Sequence, residues 1–323
     1  MKKVLVTGGS GFIGCNLVEF LNQLNYEVLN LDKLPPRNPS LSEHWIKCNI
    51  LEYNKFALLI KEFNPNYVIH LAARTDLRGK TVKDYSANTV GTKNLINALN
   101  DLTNLKKVLF ASSRLVCKIG HTPNSEDEYS ATTPYGKSKV ESELIIRNLC
   151  NQSNFDWLIF RPTSIWGPWF DEPYRDFFDA LVRGRYVHPY KYNISKSFGY
   201  VGNSVFLLEK MLDTNKELKK KTIYLTDFDN LNVLKWANII RSKLGKKNVI
   251  EVPIFLLKVV ASLGTFLEKI GVPRMPLTRF RLNNLVTNMH FDTEPLKEFS
   301  DNLPFTIDKG VEETLNWYEK HIR

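Results

Sequence analysis

Short apolar runs alternate along the first half of the chain with stretches in which apolar positions recur every three or four residues. Val4, Leu5 and Val6 form a continuous run of the kind buried on both faces of a parallel sheet. Leu17, Phe20, Leu21 and Leu24 then repeat at helical spacing, and Val28, Leu29 and Leu31 make a second strand that closes on Asp32. The same alternation predicts strands over 66–73, 106–113 and 155–163, and helices over 90–102 and 134–150. Repeated strand–helix units with apolar strands predict an α/β fold on a doubly wound parallel sheet. Beyond Arg161 the pattern turns irregular and rich in aromatics and prolines, which predicts a smaller second unit supplying substrate contacts.

Composition changes this picture little. A chain of 323 residues, 43% hydrophobic and 24% charged, can bury a sizeable core in one large or two interlocked domains. Its net charge of +10 suits nucleic acid, an anionic substrate or anionic lipid. No nucleic-acid-binding motif accompanies that charge, so no nucleic-acid partner is expected. Cys15, Cys48, Cys117 and Cys150 are scattered, and MKKVLVTGG lacks the apolar core of a signal peptide. Both favour a cytoplasmic protein with free thiols. The six histidines show no H-x-x-x-H or H-E-x-x-H spacing, so no metal is expected.

One segment stands apart. VPIFLLKVVASLGTFLEKIGVP (252–273) is apolar and helical in pattern, but Lys258, Glu268 and Lys269 interrupt it too often for a membrane span. It reads either as a buried helix or as one lying against the inner face of an anionic membrane. Arg241, Lys243, Lys246, Lys247, Arg274, Arg279 and Arg281 surround it in sequence.

The chemistry begins at the first turn. Gly8, Gly11 and Gly14 follow the first strand at intervals of three, ahead of a helix and a second strand ending in Asp32. Glycines permit a tight turn and close approach of backbone to a pyrophosphate, whose charge meets a helix N-terminus. A carboxylate ending the second strand can accept both ribose hydroxyls. In TPYGKSK (133–139), Thr133 suits an N-cap and Pro134 the first helical position, which places Tyr135 and Lys139 on one helix face. FASSRLVC places Ser112 and Ser113 at the carboxyl end of a parallel strand, the edge where ligands gather.

TGGSGFIG (7–14) in this setting resembles the opening of the extended short-chain dehydrogenase/reductase superfamily, and the resemblance persists across nearly the whole chain. It implies a Rossmann domain over 1–163, to which a segment of about 196–226 containing FGYVGN returns. It implies a substrate-binding domain over 164–195 and 227–323, and a homodimer through the helices near 90–102 and 134–150. NAD would be held by Gly8, Gly11, Phe12, Ile13, Gly14 and Asp32, and by Asn49 and Ile50 beside adenine. Leu71, Ala72 and Ala73 of HLAA, Asn88 of the following helix, Tyr135, Lys139 and Pro162 complete the implied cofactor set. The family commonly has Asp where Asn49 stands, although the Asn carbonyl oxygen can still accept a hydrogen bond. Asp32 favours NAD because a 2′-phosphate would be repelled, while Lys33 and Arg37 leave NADP open.

Aligned on the family's strand-end motif, Ser113 matches the active-site Ser/Thr, and Tyr135 follows 22 residues later. Oxidising a secondary alcohol requires removing its hydroxyl proton while hydride leaves. A free Tyr, with a pKa of roughly 10, is a poor base at neutral pH. A Lys139 ammonium, with oxidised nicotinamide, is expected to bring Tyr135 down, and Ser113 to hydrogen-bond the reacting oxygen.

Dehydrogenation, epimerisation and dehydration share these groups. Sugar 4,6-dehydratases of the superfamily follow the Ser/Thr with Asp and Glu, where this chain has Arg114 and Leu115, so 4,6-dehydration is disfavoured. The resemblance is strongest to sugar 4-epimerases of surface-polysaccharide pathways, some of which act on a polyprenyl-diphosphate-linked N-acetylhexosamine and others on nucleotide sugars. Nucleotide-sugar epimerases usually carry Asn where RPTSIWGP has Ser164. Arg74, Arg114, Ser164, Arg279 and Arg281 are the implied substrate contacts, with Arg185 and Lys191 weaker candidates. Trp166, Trp169, Phe170 and Tyr174 suit either a sugar pocket or the core. A sugar ketoreductase or dehydrogenase of the same fold remains an alternative, as does a dinucleotide-binding protein without activity.

Overall fold

The computed structural model describes residues 1–171, 174–212, 220–272 and 275–322. Pro273, at the end of the apolar segment, and Arg274 lie outside the described residues. The first elements are β1 (Lys3–Thr7), α1 (Phe12–Gln23), β2 (Glu27–Asp32), β3 (Trp45–Lys47) and α2 (Tyr53–Phe63). They are followed by β4 (Tyr67–His70), α3 (Ser86–Leu99), β5 (Lys107–Ala111), α4 (Pro134–Leu149) and β6 (Asp156–Pro162). A middle stretch holds β7 (Ser164–Trp166), α5 (Tyr174–Val182), β8 (Val187–Pro189), β9 (Ser195–Lys196) and β10 (Phe198–Tyr200). Then come α6 (Val201–Leu212), β11 (Thr222–Leu225), β12 (Leu231–Asn232), α7 (Val233–Lys243) and β13 (Ile250–Val252). The chain ends in α8 (Ile254–Lys269), α9 (Arg279–Val286), α10 (Glu294–Lys297) and α11 (Ile307–His321).

Seven parallel strands form the central sheet in the order β11-β6-β5-β4-β1-β2-β3. Strand order runs outward both ways from β1 and β4, so the topological switch point lies between those two. The period-2 rule explains why the strands read as unbroken apolar runs. Val4 and Val6 of β1, Ile69 of β4, Leu109 of β5 and Leu158 and Phe160 of β6 pack on the face covered by α1 and α6. Leu5, Val68, Val108, Phe110, Trp157 and Ile159 point the other way, onto α2, α3 and α4. Each strand feeds two cores, so each must be apolar throughout.

The expected strands are present but shorter at their carboxyl ends. Residues 71–73 leave β4 to run past the glycine turn, and Ser112 and Ser113 lie beyond β5. Beyond β6 the chain departs for β7 to β10, and returns to the sheet as β11, paired to β6. Outside the sheet lie three two-stranded pairs: β10 with β7, β12 with β9 and β13 with β8. Trp166 and Phe170 are buried in the main core, with Trp166 stacked on Phe178 at 6.0 Å and tilted on Trp236 at 5.0 Å. Those two aromatic candidates are therefore core residues.

The apolar segment becomes α8, and it is not a buried helix. Only Leu257, Ala261 and Gly264 are buried along it. A Cβ on Gly264 would lie 2.0 Å from the Leu277 carbonyl oxygen, so glycine lets the following loop cross α8 closely. Among the described residues no helix is long and apolar enough to cross a membrane.

Candidate active site

The glycine turn packs backbone on backbone. Gly8 has φ +75°, and a Cβ there would sit 2.5 Å from the Ala72 amide nitrogen. A Cβ on Gly14 would sit 2.4 Å from the Gly8 carbonyl oxygen. Gly11 caps α1 without a side-chain hydrogen bond, and the first turn of α1 carries no acidic residue. The first amides of α1, at Phe12, Ile13 and Gly14, have no partner within the helix, and the helix dipole adds positive potential there. Asp32 ends β2 half-buried, its carboxylate accepting the amides of Ser10 at 3.2 Å and Leu34 at 3.1 Å. Burial pushes its carboxyl above the usual range. Arg37 turns away to the Trp169 carbonyl (2.8 Å) and Asp171 (3.3 Å). Asn49 closes its own turn, its Oδ1 accepting the Leu51 amide at 3.1 Å, and the neighbouring Ile50 is buried. A glycine cradle, an anion-ready helix start and a carboxylate at the strand end fit a dinucleotide, and NAD in particular, since the nearby arginine is engaged elsewhere.

Behind this cradle a buried polar chain ties the turn to the helices. Thr7 Oγ1 meets His70 Nδ1 at 2.6 Å, His70 Nε2 meets Thr92 Oγ1 at 3.2 Å, and Thr92 meets Ser142 of α4 at 3.1 Å. Burial, and then the Lys139 charge, pull the His70 pKa down to about 3, so this histidine stays neutral. Asn88 works beside it, accepting the Arg74 amide at 2.8 Å and donating to Arg74 O at 3.1 Å and Ser138 Oγ at 2.9 Å. It pins the loop after β4, with Leu71, Ala72 and Ala73, to α4. The Arg74 side chain itself lies at the surface, paired with Asp76 at 2.7 Å.

Ser113, Tyr135 and Lys139 come together where β5 ends. Thr133 caps α4 by accepting the Gly136 amide at 3.0 Å, and Pro134 begins the helix. Tyr135 is buried, its phenol hydrogen-bonded to Ser113 and its ring 5.9 Å from that of Tyr85. Ser113 Oγ also accepts the Leu115 amide at 3.1 Å. Lys139 Nζ donates to the Ala111 carbonyl at 2.8 Å. Burial pulls Lys139 down to about 8, against an opposing pull from Glu143. Burial also pushes Tyr135 up, and this outweighs the lowering by the Ser113 hydrogen bond and the Arg114 charge. Lys139 does not enter this balance: loss of water around the phenol dominates, and the ammonium is directed at the Ala111 carbonyl.

Below these groups lies an ion pair that the sequence did not single out. Arg161 of β6 grips Glu143 of α4 through Nε at 2.9 Å and a terminal nitrogen at 2.7 Å, and both side chains are buried. Glu143 also receives Ser112 Oγ and the Tyr129 hydroxyl, the latter at 3.0 Å. Tyr135, Lys139 and Glu143 are four apart along one helix face, and that spacing is the signal that could have found it.

On the substrate side, Arg114 is half-buried near enough to lower Tyr135, and its guanidinium reaches Met289 Sδ at 3.3 Å. Lys196 is the missed cation here. It is buried, donates to the Asn284 carbonyl, and is pulled down to about 7 by burial and by the charge of Arg114. Ser164 is buried in β7, paired with Phe198, and Pro162 ends β6. Arg279 is exposed and donates to Ser262 Oγ at 3.0 Å, while Arg281 lies 3.8 Å from Asp176. Those two arginines engage α8 and α5, whereas Arg114 is the cation beside Tyr135 and Lys196 the one beside Arg114.

The chain is similar in sequence and in fold to known enzymes. A 3-beta-hydroxysteroid dehydrogenase of Mycolicibacterium neoaurum is 25% identical over 98% of the chain and 92% of that protein. An N-acetyl-alpha-D-glucosaminyl-diphospho-ditrans,octacis-undecaprenol 4-epimerase of Escherichia coli O157:H7 is 23% identical over 99% of the chain and 96% of that protein. A UDP-glucose 4-epimerase of Mycoplasma pneumoniae is 31% identical, but over 51% of the chain and about half (53%) of its own length. The fold is shared with the UDP-glucose 4-epimerase of Thermotoga maritima, at a TM-score of 0.77 and 18% identity over 99% of this chain and 100% of that one. The sequence pattern of the NAD dependent epimerase/dehydratase family matches residues 4–225, from β1 to the last strand of the central sheet. The chain belongs to that family of extended short-chain dehydrogenase/reductase enzymes.

Proposed function

We propose that this enzyme is a 4-epimerase of a diphosphate-linked sugar, with a polyprenyl diphosphate as the favoured carrier. The observation that carries this reading is a buried Tyr135, hydrogen-bonded to Ser113 and close to Arg114, whose charge in turn reaches Lys196. A 4,6-elimination needs a carboxyl acid and base after the serine, and Arg114 and Leu115 supply neither. The sequence likeness to the undecaprenol-linked 4-epimerase over 99% of the chain supports the lipid carrier, as does Ser164 where nucleotide-sugar epimerases usually carry Asn.

Residues 1–163 with 196–226 hold the cofactor on this reading, and 164–195 with 227–323 hold the substrate. Gly8, Gly11 and the start of α1 receive the pyrophosphate, and Asp32 the adenosine ribose. Bound NAD supplies the acceptor, and on return the donor, of the hydride at C4. Tyr135 takes the proton of the C4 hydroxyl and gives it back to the same oxygen after the sugar has turned over. Its raised pKa suits the proton-giving half. The proton-taking half relies on Ser113, on the positive charge of Arg114 and, once oxidised nicotinamide is bound, on the Lys139 ammonium to favour the phenolate. Arg114 and Lys196 neutralise the diphosphate, the arginine with its planar fork and the lysine as a point charge. Two copies joined through α3 and α4, which leave Val90 and Leu144 exposed, form the working unit.

The dehydrogenase reading is favoured by one observation, the likeness to the hydroxysteroid dehydrogenase over 98% of the chain. Gently purified enzyme is incubated with UDP-sugars and polyprenyl-diphosphate sugars, with cofactor and product mass followed together. NAD retained with the chain and conversion of a sugar without change of mass is the expected result. Stoichiometric consumption of added NAD or NADH would move the assignment to a dehydrogenase.

A further inference from the structure

Among the described residues, the outward side of α8 carries the densest run of exposed apolar side chains. Phe255 (60% exposed), Val259 (65%), Leu263 (58%), Phe266 (59%) and Ile270 (61%) form a stripe at helical spacing, widened by Leu256 and Val260. Phe280, at the start of α9, adds a third exposed phenylalanine. On the inner side Leu257, Ala261 and Gly264 are buried, Ile254 packs beside them, and Arg279 donates to Ser262 and Thr265. Singly exposed apolar residues are ordinary, but a continuous stripe along one helix marks a surface that is covered in use.

Charge identifies the cover. Residues 241–281 contain nine basic and two acidic residues, and so account for seven of the chain's ten net positive charges. Lys258 and Lys269 sit on α8 itself against the single exposed carboxylate of Glu268, and exposed Arg279 follows on α9. An apolar stripe rimmed with positive charge matches an anionic bilayer, whose acyl boundary takes the side chains while its headgroups meet the cations.

We infer that the outward face of α8 docks on an anionic lipid bilayer, lying in the interface without crossing it. The neighbouring helix gives this docking a direction. Leu282 of α9 packs on Leu257 and Ala261 of α8, while Asn284 accepts Lys196 and Met289 meets Arg114. A helix of eight residues is about 12 Å long, so α9 runs from α8 to Lys196, and the chain just beyond it meets Arg114. Resting on the function proposed above, this would let a lipid keep its tail in the bilayer while its diphosphate reaches Arg114 and Lys196.

The docking itself is tested without any sugar. Wild-type protein is sedimented with vesicles of phosphatidylcholine, alone or mixed with phosphatidylglycerol, at low and high salt. Binding to the mixed vesicles that weakens with salt is expected. A Val259→Asp/Leu263→Asp variant should lose roughly tenfold or more in affinity, since each charge replaces an inserted apolar group. Both positions are exposed, and an unchanged circular dichroism melt confirms the fold. Absence of binding at low salt, or a variant that binds like wild type, would overturn the inference. So would a variant that is smaller than wild type in analytical ultracentrifugation, because the face would then belong to a second copy. As the vesicles carry no substrate, the wrong sugar cannot mimic any of these results.

Discussion

Tyr135 touches Ser113 on one side and Tyr85 on the other and is buried, so removing its hydroxyl disturbs little except proton transfer. Tyr135→Phe is expected to fold normally, keep its dinucleotide and lose about 10²–10⁴-fold in turnover. A variant as active as wild type would leave a binding protein in place of an enzyme. Lys139 gives the pH dependence. Its pKa is depressed to about 8, so its ammonium is present below that pH and is lost as pH rises through it. The pH–rate profile should therefore fall on the alkaline side from about 8. Glu143 is a different case, since it holds Arg161 in a buried two-point grip. Glu143→Gln leaves that guanidinium unpaired and should cost about 3–5 kcal/mol, read as a lower urea midpoint. At this scale the sequence showed Tyr135 and Lys139, which are local and four apart, together with Ser113. It did not show Lys196 or the Glu143–Arg161 pair, whose partners meet only when distant segments fold together.

Among the elements, the turn between β1 and α1 is the least tolerant of change. Gly14→Ala drives a methyl to 2.4 Å from a backbone oxygen that cannot move without shifting Gly8 against Ala72. A loss of about 1–3 kcal/mol is expected, with little dinucleotide retained on purification, as absorbance of the denatured supernatant would show. Strand and helix identities were legible here because both sheet faces are covered and the apolar runs are unbroken. Strand ends were less so, since residues 71–73 and 112–113 keep an apolar or small character after leaving the sheet to line the site. With α8 the pattern gave the helix but not its orientation. Hydropathy does not say which side of an apolar helix finds a partner, and here Leu257, Ala261 and Gly264 face inward while Phe255, Val259, Leu263 and Phe266 face out.

Across the whole molecule, positive charge is concentrated on 241–281, on the sequence that follows the sheet and not within it. The sheet itself has a history written into its strand order. Its outermost strand, β11, ends at Leu225, and its partner β6 ends at Pro162. A ribosome making about 5–20 residues per second needs roughly 3–12 s to deliver the 60 or so residues between them. Through that interval the nascent chain carries Trp157, Leu158, Ile159 and Phe160 on a strand with one unpaired side, an open template for a neighbouring chain. Translation stopped at residue 221 would make the exposure permanent. Such a fragment should pellet with the insoluble fraction far more than one stopped at residue 226, and equal partition of the two would show that the edge is shielded in some other way.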